Sequence, residues 1–322
     1  MTLPARVLTA GETMALMDPL EDGAPALGSP FALRVAGAET NYAIGLTRLG
    51  VGVRWVSRVG DDPFGAIITK ALAGEGLDLG HLRREPGAPT GAFFKWRSAG
   101  RSHVHYYRTG SAASLLSPTD VAEDAFDGIA HVHLTGITMA ISESACDLVV
   151  DLARRADRHS ITVSFDPNYR PALWESPRAA LDAHRRVLPY VDWYLCGFEE
   201  GQVLFGSATE HQLVDDVEDA GARNVAVRVG ERGAMVRDGE DLVTVAPLQV
   251  ESVLDEVGAG DGFAAGFTYA LMQGWTPARC AQAGNLIAGA ALRGTGDWET
   301  LPLLKDVRSD LRAIAATDGI EQ

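Results

Sequence analysis

Short apolar runs alternate with longer stretches of helical spacing along most of this chain, and no other feature restricts its fold so far. Residues 7–9, 53–59, 131–134, 162–165, 193–195 and 224–229 read as buried strands. Between them, residues 41–49, 64–75, 143–158, 178–188 and 211–220 read as helices; in the third of these, Leu148, Leu152 and Ala156 recur one turn apart. Asp62-Pro63 supplies an acidic cap and a proline at the first helical position. Parallel strands need a long crossover, usually a helix. The alternation therefore predicts a mostly parallel central sheet covered by helices on both faces, a three-layer α/β/α core. Residues 258–293 read as two further helices divided at Gly274 and Pro277.

Two stretches break the rhythm. Residues 14–36 hold a loop rich in Gly, Pro and acid (Asp18-Pro19-Leu20-Glu21-Asp22-Gly23), then a strand-like run over Phe31–Ala36. Residues 91–97 and 103–108 form the arms of a predicted hairpin turning at Ser98-Ala99-Gly100, made aromatic by Phe93, Phe94, Trp96, Tyr106 and Tyr107. A small antiparallel sheet attached to a parallel core makes a lid, here expected over about residues 12–37 and 89–110. With no repeat, low-complexity tract or linker, residues 1–322 are expected to form one domain.

Composition excludes several functions. The chain carries 43 Asp and Glu against 28 Lys and Arg, a net charge of −15, so neither a nucleic-acid surface nor a membrane surface is expected. Only Lys70, Lys95 and Lys305 are lysine. No Gly-Lys pair exists and no lysine follows V-A-I, so a Walker phosphate loop and a protein-kinase site are both excluded. Cys146, Cys196 and Cys280 are scattered without a C-x-x-C pair, which predicts reduced, buried thiols in a cytoplasmic protein. No apolar run reaches the roughly 18 residues of a membrane span. Residues 1–11 lack the order of a signal peptide. His131-x-His133 and His103-x-His105 each put two imidazoles on one strand face. Without acidic or cysteine partners at metal-site spacing, they read as packing or hydrogen-bonding groups.

The segment richest in chemistry is Gly258-Ala259-Gly260-Asp261. A Gly-Ala-Gly turn opening a helix exposes backbone N–H groups to an anion, and small residues let a phosphate reach them. Asp261, in the first helical turn, can face the same place and take a proton from an alcohol while the N–H groups of residues 258–261 hold the developing charge. An ordinary Asp, with a pKa of about 3.9, serves as base when the proton leaves late. The segment lacks the third glycine of a dinucleotide fingerprint, which leaves a dehydrogenase as a weak third reading.

Asp255-Glu256-Val257-Gly258-Ala259-Gly260-Asp261 resembles the second signature of the ribokinase (PfkB) family of carbohydrate kinases, D-T-x-G-A-G-D. The first signature is matched by Ala36-Gly37-Ala38-Glu39-Thr40-Asn41-Tyr42-Ala43, Leu49-Gly50 and Arg58-Val59-Gly60-Asp61-Asp62-Pro63-Phe64-Gly65, at the family's usual separation. Tyr106-Tyr107-Arg108-Thr109-Gly110, Leu134-Thr135-Gly136-Ile137 and Asp166-Pro167-Asn168-Tyr169-Arg170 resemble the branch that phosphorylates 2-keto-3-deoxygluconate (2-dehydro-3-deoxy-D-gluconate) at its 6-hydroxyl.

The resemblance implies a ribokinase-like fold with a β-sheet lid, ATP and Mg²⁺ as ligands, room for a monovalent cation, a sugar-acid substrate and a homo-oligomer. It implies Asp261 as base, the 258–261 N–H groups as anion hole and Arg170 reaching substrate or phosphate. Arg108 and Tyr106 would hold the acid end, since guanidinium matches carboxylate bidentately. Gly37, Asn41, Phe93, Ile137 and Asp297 would line the sugar pocket. On the nucleotide side it implies Asn168, Gly197, Arg228, Gly230, Gly233 and Asn285, with Glu200 organising Mg²⁺ through water.

The chain departs from the pattern at several points. Glu256 replaces a Thr, Gly197 an Asn and Arg228 a Lys; Phe93 stands where a Tyr is usual, and Gly11-Glu12 replaces the Gly-Asp that grips ribose. The alternatives are a neutral-sugar kinase such as a fructokinase, and a non-catalytic sugar- or nucleotide-binding regulator.

Overall fold

The first strand splits its side chains between two cores. In β1 (Ala5–Ala10), Val7 faces one hydrophobic cluster and Leu8 the other. Period-two alternation with both faces apolar is what a sheet buried on both sides requires. In this computed structural model, which describes residues 3–21, 23–98, 101–248, 257–294 and 296–316, the chain continues through β2 (Met14–Pro19), β3 (Phe31–Ala36), α1 (Ala38–Arg48), β4 (Gly52–Gly60), α2 (Pro63–Gly74) and β5 (Asp78–Glu85). Then follow β6 (Ala92–Ser98), β7 (Arg101–Tyr107), β8 (His131–Thr135), α3 (Gly136–Ile141), α4 (Glu143–Arg158), β9 (Thr162–Asp166), α5 (Pro177–His184), β10 (Trp193–Gly197), α6 (Phe198–Phe205) and α7 (Glu210–Asp219). Last come β11 (Val225–Arg228), β12 (Ala234–Asp238), β13 (Asp241–Val245), α8 (Ala259–Met272), α9 (Pro277–Ala291) and α10 (Leu304–Ala316).

The main sheet has the order β13-β12-β11-β10-β9-β8-β1-β4-β5. It is parallel from β11 to β5 and closes with the antiparallel pairs β11/β12 and β12/β13. Trp193 and Leu195 of β10 pack on the face covered by α1, α8 and α9; Tyr194 and Cys196 pack on the face covered by α4 and α7. This is the expected three-layer arrangement. Each fully buried Leu or Val contributes about 1.5–3 kcal/mol, so these two clusters dominate the folding energy. The three cysteines are free and buried. Among the described residues no helix is long and apolar enough to cross a membrane.

Some elements differ from expectation. The helix expected over 178–188 stops at His184, and Leu188–Tyr190 forms a separate turn, since Pro189 cannot continue a helix. Asp18 and Pro19, expected in a loop over residues 18–23, instead end strand β2, which turns Met14 and Leu16 inward. The second sheet, β3-β2-β6-β7, is mixed: β2 runs parallel to β6, while β2/β3 and β6/β7 are antiparallel. It is the lid. Because β1 passes into β2 within a few residues, the lid hangs over the carboxyl end of the main sheet.

Candidate active site

Successive parallel strands deliver residues to that end. Gly11 and Glu12 follow β1, Gly136 follows β8, Asp166 ends β9, Gly197 ends β10 and Arg228 ends β11. Ligands of open α/β sheets bind in the crevice outside the carboxyl ends of the strands.

Helix α8 starts beneath the lid. Its N-cap, Gly258, has a left-handed backbone (φ 80°), and a Cβ there would lie 1.9 Å from the Asp297 carbonyl oxygen. Only glycine fits. No described side chain caps this helix, so the first-turn N–H groups stay open to an anion. The Arg228 guanidinium lies 3.6 Å from where a Cβ on Gly260 would sit, adding a cation beside the same turn.

Asp261 projects from that turn. Asn41 Nδ2 donates to its Oδ2 at 2.8 Å, and Asn168 Nδ2 approaches Oδ1 at 3.4 Å. Burial pushes its pKa up to about 7; Asn41 opposes the shift, Asp166 adds to it, Arg170 opposes it and Asp297 adds to it. The ordinary acidity expected from sequence is therefore corrected: this carboxylate is poised near neutrality, where a general base works best. Asn168 holds a left-handed φ of 40°, fixed by its N–H donating to Asp166 Oδ1 at 2.9 Å. Asn tolerates that conformation better than most residues.

Asp166, Arg228 and Glu200 form a second cluster. Arg228 Nη1 donates to Asp166 Oδ2 at 2.8 Å, and its Nη2 lies 3.8 Å from Glu200 Oε2. Glu200 also accepts from the N–H groups of Tyr169 and Gly197. Burial raises its pKa, Asp166 adds to the rise and Arg228 opposes it. Gly197 caps α6 through this contact, a role that needs no Asn side chain. Among the described residues no group of three His, Cys, Asp or Glu could cage a metal. The donor set fits a Mg²⁺ that keeps its waters on the nucleotide phosphates and meets Glu200 indirectly. His131 and His133 both bond Ser164 Oγ, at 2.7 and 2.8 Å, and burial depresses both to about 3. They are neutral hydrogen-bonding groups, as the sequence led us to expect.

At the lid, Arg108 Nη2 pairs with Glu12 Oε2 at 2.5 Å, Ser111 Oγ donates to Glu12 Oε1 at 2.5 Å, and the guanidinium lies 5.5 Å from the Tyr106 ring centre. Phe93 packs on Tyr106 with ring centres 5.5 Å apart. A Cβ on Gly37 would meet the Glu12 carbonyl at 2.3 Å, so close approach requires glycine there. Glu39 is buried, accepting from the hydroxyls of Thr135 and Thr138; burial raises its pKa. Ile137 is buried at the start of α3, beside Gly136, which abuts Pro167. Arg170 is exposed at the rim. Asp297 pairs with Lys95 of β6 at 3.6 Å.

Of the residues expected at the nucleotide, Gly230 and Gly233 have positive φ (59° and 91°), and a Cβ on Gly233 would lie 2.1 Å from the Val245 carbonyl. Asn285 donates to the carbonyls of Val245 and Ala246, so its amide ties α9 to the end of β13. Asp255, Glu256, Thr295, Ala99 and Gly100 lie outside the described residues.

Glu12, Glu39, Asp166 and Lys95 were not singled out from sequence as site residues. Asp166 could have been, as the acidic member of Asp166-Pro167-Asn168. Lys95 had a signal too: it shares the parity of Phe93 on its strand, so both face inward.

Comparison with known proteins now has a site to meet. The chain is 35% identical over 308 residues to the 2-dehydro-3-deoxygluconokinase of Bacillus subtilis (strain 168), covering 95% of each protein. It superposes on the PfkB protein of Polaromonas sp. JS666 with a TM-score of 0.86 at 36% identity, covering 95% of this chain and 100% of that one. A candidate ribokinase II of E. coli, solved with ATP and Mg²⁺, gives a TM-score of 0.86 at 26% identity over 96% of this chain and 100% of that one. Residues 4–303 match the pfkB family carbohydrate kinases, and to that family of alcohol-acceptor phosphotransferases the chain belongs.

Proposed function

We propose that this kinase transfers the terminal phosphoryl group of ATP to the 6-hydroxyl of 2-dehydro-3-deoxy-D-gluconate, giving the 6-phosphate and ADP. The observation that carries the substrate is Arg108. It is only 8% exposed, and among the described residues its Nε and Nη1 have no hydrogen-bond partner. Buried polar groups are almost always satisfied, so idle donors on this guanidinium point to an oxyanion that would accept from it. A sugar carboxylate at Arg108, beside Tyr106 and Phe93, would direct the far hydroxyl toward Asp261.

Asp261 then takes the hydroxyl proton as that oxygen bonds the terminal phosphorus and the bridging oxygen leaves with ADP. The N–H groups of residues 258–261 and the nearby Arg228 hold the charge on the transferring group, with Arg170 at the rim. Glu200 would hold, through water, a Mg²⁺ that would neutralise phosphate charge on the nucleotide. Gly230, Gly233, Asn285, Gly197 and Asn168 shape the nucleotide side, while Gly37, Asn41, Ile137 and Asp297 line the sugar. The Bacillus subtilis relative, 35% identical to this chain, carries the same activity in its name, which supports the reading.

One observation favours the neutral-sugar alternative: Glu12 already balances the charge of Arg108. A panel of keto-deoxy acids derived from gluconate and galactonate, with fructose and ribose, each with ATP and Mg²⁺, separates the two. With Arg108→Ala, we expect loss confined to the acids. Equal wild-type turnover of fructose and 2-dehydro-3-deoxy-D-gluconate refutes the sugar-acid reading.

A further inference from the structure

Lys95 is the one lysine on the inner face of the lid, and its charge is directed at the protein. Its Nζ lies 3.6 Å from Asp297 Oδ1, and the two side chains are 9% and 8% exposed. A pair this buried is little screened by salt. Asp297 is engaged from the other side as well, since its carbonyl oxygen occupies the space a Cβ on Gly258 would need. The same residue thus touches the lid with its side chain and the start of α8 with its backbone. Neighbouring contacts tie the same two parts together. Trp298 Nε1 donates to the Val35 carbonyl of β3 at 2.6 Å, and Arg34 of β3 pairs with Glu299 at 2.9 Å.

We infer that Lys95 is a positioning residue that couples the seating of the lid to the phosphoryl-transfer turn, through Asp297. With the lid down, the ammonium fixes the Asp297 side chain, and the Asp297 carbonyl in turn holds Gly258 in the left-handed conformation that opens the N–H groups of residues 258–261. With the lid up, that support is withdrawn and the anion hole loosens, so ATP bound without sugar is poorly set for attack by water. The inference rests on the kinase chemistry of the 258–261 turn and not on which sugar is accepted.

The experiment compares wild type, Lys95→Met and Lys95→Arg by amide hydrogen exchange of the full chain with Mg²⁺ and a non-hydrolysable ATP analogue, a readout that needs no sugar. We expect Lys95→Met to speed exchange about tenfold both in β6 and over residues 258–262, with Lys95→Arg restoring protection at both, as for coupled sites. Faster exchange in the lid with residues 258–262 unchanged overturns the coupling. On the sugar the wild type phosphorylates, Lys95→Met should lower kcat about tenfold, leave the KM for ATP within about twofold, and release more than one ADP per phosphosugar. A rise in sugar KM with kcat preserved makes Lys95 a simple binding group and also overturns the inference. Should Lys95→Met fail to fold, Lys95→Gln, which removes the ammonium charge while keeping a polar head beside Asp297, carries the same comparison.

Discussion

Asn41 offers a way to read the proposed base directly. Its Nδ2 donates to Asp261 Oδ2 at 2.8 Å, a bond that favours the ionised carboxylate and holds its pKa below what burial alone imposes. Asn41→Ala removes the donor. Among the described residues Asn41 Oδ1 has no partner, so the truncation orphans only Asp261. A hydrogen bond to a charged group is worth about 1.5–3 kcal/mol, and each pKa unit is about 1.4 kcal/mol. Asp261 should therefore rise from about 7 by about one to two units in the variant. At pH 7 half of the wild-type carboxylates are ionised, against about 1–10% in the variant, so kcat/KM should fall about 5- to 50-fold. By pH 10 most of it should return.

The assay is kcat/KM for the sugar between about pH 5.5 and 10, which reports ionisations of the free enzyme. ATP carries a terminal phosphate that also titrates, near pH 6, but that ionisation is common to both proteins and cancels in the difference. An acid limb whose midpoint stays put, with activity lowered uniformly, would refute the reasoning. Asn41 would then be a sugar contact with no hold on the base.

Asp261→Asn should abolish turnover, a loss of about a thousandfold or more for a general base, while ATP binding measured by calorimetry persists. The same variant tests stability. The wild-type carboxyl holds its proton more tightly folded (about 7) than unfolded (3.8), so wild-type stability falls as pH rises through that window and is level above it. Asp261→Asn should thus gain nothing near pH 4 and about 1–2 kcal/mol by pH 8, solvent in the cleft keeping it below the full shift; a Tm difference independent of pH would sink this. Gly258→Ala must adopt φ 80° and displace the Asp297 carbonyl. It should lose about 1–2 kcal/mol of stability to backbone strain and about a hundredfold in kcat, as checked by chemical denaturation and steady-state kinetics. Normal kinetics would show the turn to be passive.

What the sequence revealed follows from the range of the interactions involved. The helix Glu143–Arg158 is written in local periodicity, and its Leu148, Leu152 and Ala156 do face the core. The turn at Gly258 is local as well, since a left-handed residue opening a helix advertises itself as glycine. Strand β5 was not legible. As an edge strand it carries half-exposed polar residues, such as Asp78 bound to Arg54, in place of an apolar run. In the site, Asp261, Asn41 and Asn168 meet from three different segments, and no spacing rule predicts such a meeting. The pKa of Asp261 depends on the burial that this meeting creates. Arg108 was chosen for its charge, but its pairing with Glu12, far upstream in sequence, is a property of the fold alone.

The charges around the site bear on how an acidic chain that uses so little lysine would hold the two anions proposed for it. The buried cations already have counter-ions: Arg228 has Asp166 and Glu200, Arg108 has Glu12, and Lys95 has Asp297. An unpaired buried cation would cost several kcal/mol in the empty protein, so some such balance is required before any ligand arrives. Balance also removes much of the long-range pull on an anion. What remains for an anion is the row of N–H groups at residues 258–261 with the dipole behind it, which acts only at contact. Arginine suits this arrangement better than lysine. Its guanidinium carries five donors, so Arg108 can pair with Glu12 through Nη2 and still have donors on Nε and Nη1 for a ligand. A lysine bound to the same carboxylate would keep one compact charge with no second fixed edge, which fits the place where the site does use lysine, between lid and core.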